Sequence, residues 1–558
     1  MKNAPRSRVA LVRSAIVAAL GGLLFGFDTV VISGCQDQLK EVFNLSGFWQ
    51  GFMTSAALIG TVVGAMLAGI PGDRIGRRDS LKWMAVLFFV SAVGCAMAWG
   101  FWSLATFRFI GGLGVGGASV LGPMYLAEIA PAHLRGRLVG FFQFNVVFGI
   151  LVAFFSNFVV GGFGLGDAEW RWKLGVEALP ALLFFLMLFG IPRSPRWLVS
   201  RGNHREARAV LERIGEDEVE RELQAIVRSL KGEQGRLGEA LFQKLYRFPI
   251  FLAVSIAMFN QLSGINGLLY YLNPIFKMAG FDKVSGDLQS VAIGATNLVF
   301  TVLAMSVIDR AGRKALLLIG SVGVTLALAG VAWIFHSSTN QGWLVWLLIG
   351  YIAFFGFSQG AVIWVYISEV FPNVVRAKGQ ALGGFTHWIM AAAVSFAFPL
   401  LAREAGESHS APLGSAATAM VLRIDLPKNS NYELQARAQS ETESAWQVEI
   451  DGEVLEERIE RDATGTGFRW LNLKDYNLEA GSHELAVRSL EGNAVMDQIR
   501  LNRPRALPFA FFAAMMALQF IVVLMIYPET RGVPLEEMQR KFGISRSSAG
   551  KVGPGNAK

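Results

Sequence analysis

Cysteine is almost missing from this chain: two among 558 residues, Cys35 and Cys95, both in or beside apolar runs. The polar stretch 403–505 has none, so no disulfide staples it. Charge is scarce as well, at 17% against 53% hydrophobic residues and a mean hydropathy of +0.42, which excludes an ordinary soluble domain. The six histidines are scattered, and no metal cluster or nucleophile triad is evident, so neither enzyme chemistry nor a cofactor is expected. No glycine-rich loop ends in Gly-Lys-Ser/Thr, which leaves no sign of ATP drive. Gly112-Leu113-Gly114-Val115-Gly116-Gly117 does fit the dinucleotide pattern. It lies in an apolar helix with no strand before it, where close helix packing is the better reason.

What the chain has in abundance is apolar runs of membrane-spanning length. Six fall near 10–33, 48–70, 80–100, 103–127, 138–162 and 172–192. Six more fall near 248–273, 288–308, 315–336, 343–368, 377–401 and 507–527. Gly72-Asp73-Arg74-Ile75-Gly76-Arg77-Arg78 recurs as Asp309-Arg310-Ala311-Gly312-Arg313-Lys314 at the corresponding place in the second set. A repeated basic turn in two six-span sets is the trace of a duplicated carrier. Lys and Arg crowd the loops after even-numbered spans, which predicts both termini on the cytoplasmic side. The basic N-terminus runs into a span longer than a signal-peptide core, without an evident cleavage site, so it reads as the first span. The net charge of +8 does not indicate nucleic acid: residues 403–505 hold 12 basic and 18 acidic side chains, leaving +14 mostly on one membrane face. That face fits anionic lipid.

Two segments stand apart. Residues 193–247 are polar and helix-favouring, predicting amphipathic cytoplasmic helices between the halves. Over 403–505 the hydrophobic period changes to alternation, as in Met420–Leu426, Tyr432–Ala436, Trp446–Ile450, Phe468–Leu473, His483–Val487 and Met496–Leu501, with an Asp451-Gly452 turn. This predicts an all-β sandwich. It sits in an odd-to-even loop and is therefore expected outside. The domains expected are 1–192, the linker 193–247, 248–402, the insert 403–505, a last helix and tail start at 506–545, and a disordered tail 546–558. Asn44-Leu45-Ser46 is an outward-facing glycosylation sequon, relevant only in a glycosylating host.

Asp28 lies within the first span and Arg108 within the fourth. An intramembrane acid is costly and normally has a partner and a function. The pair fits a carboxylate that exchanges Arg for a proton, the alternative being a static ion pair fixing the two helices. Several ordered motifs then resemble the sugar porters of the major facilitator superfamily: Gly21-Gly22-Leu23-Leu24-Phe25-Gly26-Phe27-Asp28-Thr29, Pro123-Met124-Tyr125-Leu126-Ala127-Glu128, Gln261-Leu262-Ser263-Gly264-Ile265-Asn266 with Tyr270-Tyr271, and Pro528-Glu529-Thr530-Arg531-Gly532. The resemblance covers roughly 1–401 and 507–545 and implies a twelve-helix, all-α membrane fold in two pseudo-symmetric halves. It implies proton coupling at Asp28 and Arg108. It places Gln143, Asn260, Gln261, Asn266, Tyr270, Asn297, Trp364, His387 and Trp388 around a monosaccharide, whose hydroxyls need amides and whose ring face needs apolar surface. It also implies a cytoplasmic gate from Asp73, Arg77, Glu128, Arg135, Asp309, Arg313, Glu369 and Arg376, with Glu128 set beside Arg135 and Glu369 beside Arg376.

The departures are specific. Asn260 stands where the family usually has Gln, His387 where proton-coupled pentose carriers have Gln, and Ile150 where they have a polar residue. Arg193 replaces the acid of the family's Pro-Glu-Ser-Pro-Arg, so one gate pair is lost or rewired. Thr464–Trp470 and Leu478–Leu485 resemble jelly-roll carbohydrate-binding modules, making Tyr432, Trp446, Trp470 and Tyr476 candidates for a glycan, or else sandwich core. The expectation is a proton-coupled hexose or pentose symporter of the plasma membrane, in bacteria the inner membrane. Its partners are sugar, proton and bilayer. A facilitative uniporter and a non-transporting sugar sensor are the alternatives.

Overall fold

The computed structural model describes residues 4–131, 134–215, 218–234, 240–281, 283–337, 339–372, 374–404, 408–410, 419–426, 430–440, 443–461, 465–479, 481–491, 494–531, 533, 537–538 and 542. Among the described residues, 12 helices are long and apolar enough to cross a membrane. Val9–Val42, Gly47–Arg74, Arg77–Ala96, Phe101–Ile129, Arg135–Gly161 and Gly166–Gly190 make the first half. Lys244–Tyr270, Ser285–Ala311, Arg313–Ser337, Gln341–Val370, Arg376–Leu401 and Leu507–Met525 make the second. With no water in hydrocarbon to satisfy backbone groups, helices of this length are the available solution. The architecture is twelve spans in two six-helix halves, with an all-β region inserted before the last span.

Small residues let the helices approach. A Cβ on Gly112 would stand 1.9 Å from the Ala57 carbonyl oxygen, and one on Gly116 2.2 Å from that of Thr61. The glycine run in the fourth span is thus a packing face against the second, as its apolar setting implied. The repeated basic turns also share a geometry. Arg77 Nη1 donates to the Gly72 carbonyl at 2.9 Å and to Asp73 at 3.1 Å. Arg313 donates to the Ile308 carbonyl at 3.1 Å and pairs with Asp309 at 3.0 Å. Both follow a glycine at positive φ, Gly76 at 92° and Gly312 at 91°, which only a residue without Cβ adopts freely.

Between the halves, helices Pro195–Ser200, His204–Ile214 and Val219–Gln234 bury Trp197, Leu198, Leu211, Ile214, Leu223 and Ile226 in a small core. Trp197 Nε1 donates to the Asp73 carbonyl at 2.9 Å, which ties this core to the first basic turn.

The insert leaves the eleventh span and returns to the twelfth. Strands β1 (Arg403–Glu404), β2 (Ser408–Ser410), β3 (Ala419–Leu426), β4 (Ser430–Ser440), β5 (Ser444–Ile450), β6 (Glu453–Arg461), β7 (Gly465–Leu478), β8 (Gly481–Glu491) and β9 (Val495–Pro504) form two antiparallel sheets. One sheet runs β1-β9-β4-β7, with β2 also on β9; the other runs β3-β8-β5-β6. Because β1 pairs with β9, entry and exit lie side by side, and Arg505 N–H donates to the Ala402 carbonyl at 2.7 Å. Adjacent chain ends are what allow a domain to sit in a loop without forcing the flanking helices apart.

Three of the four aromatic glycan candidates are sandwich core. Trp446 is 0%, Tyr432 2% and Tyr476 8% exposed, because alternation turns these positions inward, and Trp446 Nε1 is satisfied by Ser444. The side chain of Trp470, on β7, lies outside the described residues. The Asp451-Gly452 turn joins β5 to β6 with both residues at positive φ. Asp451 accepts from the Glu484 N–H at 2.7 Å and from His483 Nδ1 at 2.6 Å, while His483 Nε2 faces the Glu479 carbonyl at 3.1 Å. Acceptors at both ring nitrogens favour the imidazolium, so His483 titrates above its ordinary value, chiefly through Asp451. Asp451 titrates below its own, chiefly through the Glu484 N–H.

Two expectations follow. Trp446→Ala should cost the insert about 3–5 kcal/mol, read as new proteolytic cleavage within 403–505 while the spans stay protected. The raised His483 makes its pairing fully present below the unfolded value of about 6.5 and lost as pH climbs through the folded one. The insert's melting temperature should therefore fall from slightly acid to slightly alkaline pH, and His483→Gln should flatten that fall.

Candidate substrate and coupling site

Asp28 and Arg108 meet as their positions in the first and fourth spans require. Arg108 Nη1 donates to Asp28 Oδ1 at 2.7 Å, Nη2 to the Asp28 carbonyl at 3.3 Å, and the two side chains are 3% and 1% exposed. A third group completes the cluster. Glu177, in the sixth span and 2% exposed, adjoins the Asp28 carboxyl and feels the same guanidinium. Two buried acids therefore lie in the field of one fixed cation, which pairs directly with Asp28. Sequence reading passed over Glu177, although an acid five residues into the apolar run 172–192 is itself a signal.

The second half supplies the amides. Its seventh span breaks at Gly264, which takes a left-handed φ of 85° between helices Arg247–Leu262 and Ile265–Tyr270. Broken helices at mid-membrane are typical of carrier binding sites. Across the break, Asn266 Nδ2 donates to Gln261 Oε1 at 2.7 Å, and Gln261 Nε2 donates to Asn260 Oδ1 at 3.0 Å. Gln261 Nε2 also lies 3.2 Å from both His387 ring nitrogens. Asn260 Nδ2 reaches the Gln359 carbonyl at 3.4 Å, and Gln359 Nε2 donates to Gln519 Oε1 at 2.8 Å. Gln359 and Gln519 were not singled out from sequence. They continue the same buried polar chain into the tenth and twelfth spans.

Aromatic rings flank the amides. His387 sits 5.0 Å from Trp364 and 4.9 Å from Trp388 between ring centroids, and Trp388 lies 5.5 Å from Phe25 of the first half. Trp364 is 38% exposed, so its face is available. Tyr270 is buried and its hydroxyl meets Thr29, the residue after Asp28. Asn297 is buried with Thr301 at 3.5 Å, Gln143 is half-buried on the fifth span, and Ile150 is buried below it. The amide chain and the ion pair are thus linked through Tyr270 and through the Phe25–Trp388 contact.

The gate residues pair differently from expectation. Glu128 binds Arg77 Nε at 3.1 Å and accepts from Ser194, whereas Arg135 donates to the Ala127 carbonyl at 3.0 Å. Glu369 binds Arg313 at 2.8 Å and accepts from Thr530 at 2.6 Å, whereas Arg376 donates to the Phe371 carbonyl at 3.5 Å. The reason is reach: the basic turns lie directly beside the acids, while Arg135 and Arg376 begin the next helices. Arg193 is rewired to Asp79 at 3.2 Å, which Arg78 and Lys82 also hold.

Another buried charge cluster, unread in the sequence, joins the halves on the insert's side. Lys173 Nζ pairs with Glu169 at 2.7 Å, donates to the Gly34 carbonyl at 2.9 Å, and lies 3.8 Å from Asp287 of the eighth span. Asn273 donates to Asp287 and accepts from Ser290 at 2.9 Å and Ser33 at 3.3 Å.

Residues 14–422 match the family described as sugar (and other) transporter. The chain is 39% identical over 419 residues to the D-xylose-proton symporter of Escherichia coli strain K12, a match covering 69% of this chain and 84% of that one. It is 38% identical over 378 residues to the arabinose-proton symporter of Bacillus subtilis strain 168, covering 66% and 81%. Its structure resembles the partially occluded inward-open conformation of the xylose transporter XylE from E. coli. The TM-score is 0.69 at 29% identity, over 94% of this chain and 100% of the other.

Lys173 lies between two buried carboxylates here, Glu169 and Asp287. Lys173→Met should destabilise the folded chain by about 3–5 kcal/mol, seen as a lower melting temperature in detergent, and adding Asp287→Asn should recover part of the loss.

Proposed function

Because the chain belongs to the sugar (and other) transporter family of the major facilitator superfamily, we propose that it is a proton-coupled monosaccharide symporter working by alternating access. The observation that carries this reading is the buried Asp28–Arg108 ion pair, with a second buried acid, Glu177, beside it. Paired acids repel when both are ionised, so together they are suited to holding one proton between them. Taking up that proton weakens the hold of Arg108 on the first span. The same span carries Phe25 against Trp388 and Thr29 against Tyr270, so a change at Asp28 is felt at the sugar site. Sugar in turn replaces the Asn266–Gln261–Asn260 contacts that the amides make with one another, and so acts on the seventh span. Relatives that carry xylose and arabinose with protons support the coupling and the sugar class. Departures at Asn260, His387 and Ile150 argue for a pocket with its own preference among pentoses and hexoses.

The positive-inside pattern supports cytoplasmic termini and an extracytoplasmic insert. The gate turns then face the cytoplasm. Their ion pairs, Arg77–Glu128 and Arg313–Glu369, lie within their own halves, while the Lys173–Asp287 and Ser33–Asn273 contacts cross between halves on the insert's side. This is the arrangement of a carrier closed outside and released inside.

The test is sugar-triggered proton entry into proteoliposomes across a panel of pentoses and hexoses, with Asp28→Asn beside the native protein. Alkalinisation outside with a given sugar, lost in Asp28→Asn while sugar exchange persists, is the expected result. Labelled-sugar flux without proton movement would make the protein a uniporter, and saturable sugar binding with neither would make it a sensor.

A further inference from the structure

The β-sandwich is covalently part of one half and docked on the other. Its strands leave Leu401 and return at Leu507, both in the second half, and β4 also packs on helix Leu272–Met278 of that half. Yet Glu433, on β4, forms an ion pair with Lys40 at the end of the first span, in the first half. The side chains are 12% and 5% exposed, and Asn502 Nδ2 holds the other Glu433 oxygen at 3.0 Å. The insert therefore bridges the seam that must part if this side is to open. Beside this contact, first-half residues Glu41, Asn44 and Asp167 face Glu456 and Arg458 of the insert across a cleft of about 530 Å³ lined by polar and charged groups. A narrow charged foothold beside a wet cleft is a contact that can be made and broken, unlike a broad apolar interface.

We propose that the insert is a strap across the two halves, closed by Lys40–Glu433, which biases the carrier toward the state shut on the insert's side. The geometry requires it: Lys40 moves with the first half and Glu433 with the second, so parting the halves there separates the pair. Reclosure re-forms it within a protected setting, where losing one partner is more costly than at an exposed surface. The strap adds to the Lys173–Asp287 and Ser33–Asn273 ties, which lie deeper along the same seam. It rests on the alternating-access reading for its purpose, but its occupancy is a matter of distance alone.

The experiment places spin labels at Phe163→Cys, after the fifth span, and Trp343→Cys, at the start of the tenth, in the full-length protein in nanodiscs. Both positions are exposed, at 67% and 64%, and the native Cys35 and Cys95 are buried. Lys40→Met and Glu433→Gln should each raise the long-distance, insert-side-open population about tenfold relative to the native chain, and the exchange Lys40→Glu with Glu433→Lys should restore the native distribution. Unchanged distances in both single variants overturn the proposal. Opening that the exchange fails to reverse also overturns it, since the effect would then come from the insert's fold and not from the pair. The distances are read without flux, so a failure of the symport reading would appear in the transport assay and leave this measurement decisive.

Discussion

An ionised carboxylate inside hydrocarbon is tolerated only beside a cation, so the charge of Asp28 depends on the guanidinium 2.7 Å away. Arg108 keeps its own charge under nearly all conditions, which leaves the acids as the groups able to change state. That asymmetry organises the first half. The first span is held against the fourth by the Asp28–Arg108 contact amid close helix packing, and the same span carries Phe25 against Trp388 of the second half. Asp28 and Glu177 thus lie near a place where the two halves touch.

The duplicated turns show how far a repeat can drift while keeping its geometry. Arg77–Glu128–Ser194 and Arg313–Glu369–Thr530 are the same arrangement in the two halves. In the second half Glu529, directly before Thr530, also accepts from the backbone N–H groups of Arg313 and Lys314 at 3.0 Å, an acid placed at a helix N-terminus. The corresponding residue before Ser194 is Arg193, a cation that would be repelled by that helix end. It turns away to Asp79 instead. The two halves thus hold their basic turns by the same arginine–acid pair, but only the second adds a carboxylate cap.

Much of this was legible in the sequence, and for identifiable reasons. Spans of some twenty apolar residues, the basic turns and the buried Asp28 are local signals, so the twelve helices and the first ion-pair partner could be read directly. Six of the strands showed as alternation. Strand β6 did not, because Glu453, Glu456, Arg458, Glu460 and Arg461 crowd its nine residues and hide its alternating side. Partner choice was the harder problem. Glu128 and Glu369 were set beside Arg135 and Arg376 by sequence proximity, whereas the fold brings in arginines 51 and 56 residues away. Glu177, Lys173 and Asp287 escaped for the same reason: their meaning lies in charges from other helices. The aromatic residues of the insert were open to two readings because alternation says which residues share a face, and only the packing of the second sheet says which face is inside.

The insert changes the mechanical problem that a twelve-helix carrier solves. Without it, the side it occupies would close through helix packing, the Gln36 contact to Tyr270, the Ser33 contact to Asn273, and Lys173 near Asp287. Those contacts lie among the helices. Lys40 lies at the outer end of the first span, and Glu433 stands on a domain beyond the helix ends, where a rocking of the halves displaces atoms more than it does nearer mid-membrane. An electrostatic contact falls off slowly with distance compared with packing, but in a wet cleft it is screened within about a Debye length of 8–10 Å. A tie placed there releases early in opening and re-forms late in closing. It therefore acts on the balance between end states, and its position in a loop leaves the amide chain and the Asp28 cluster untouched.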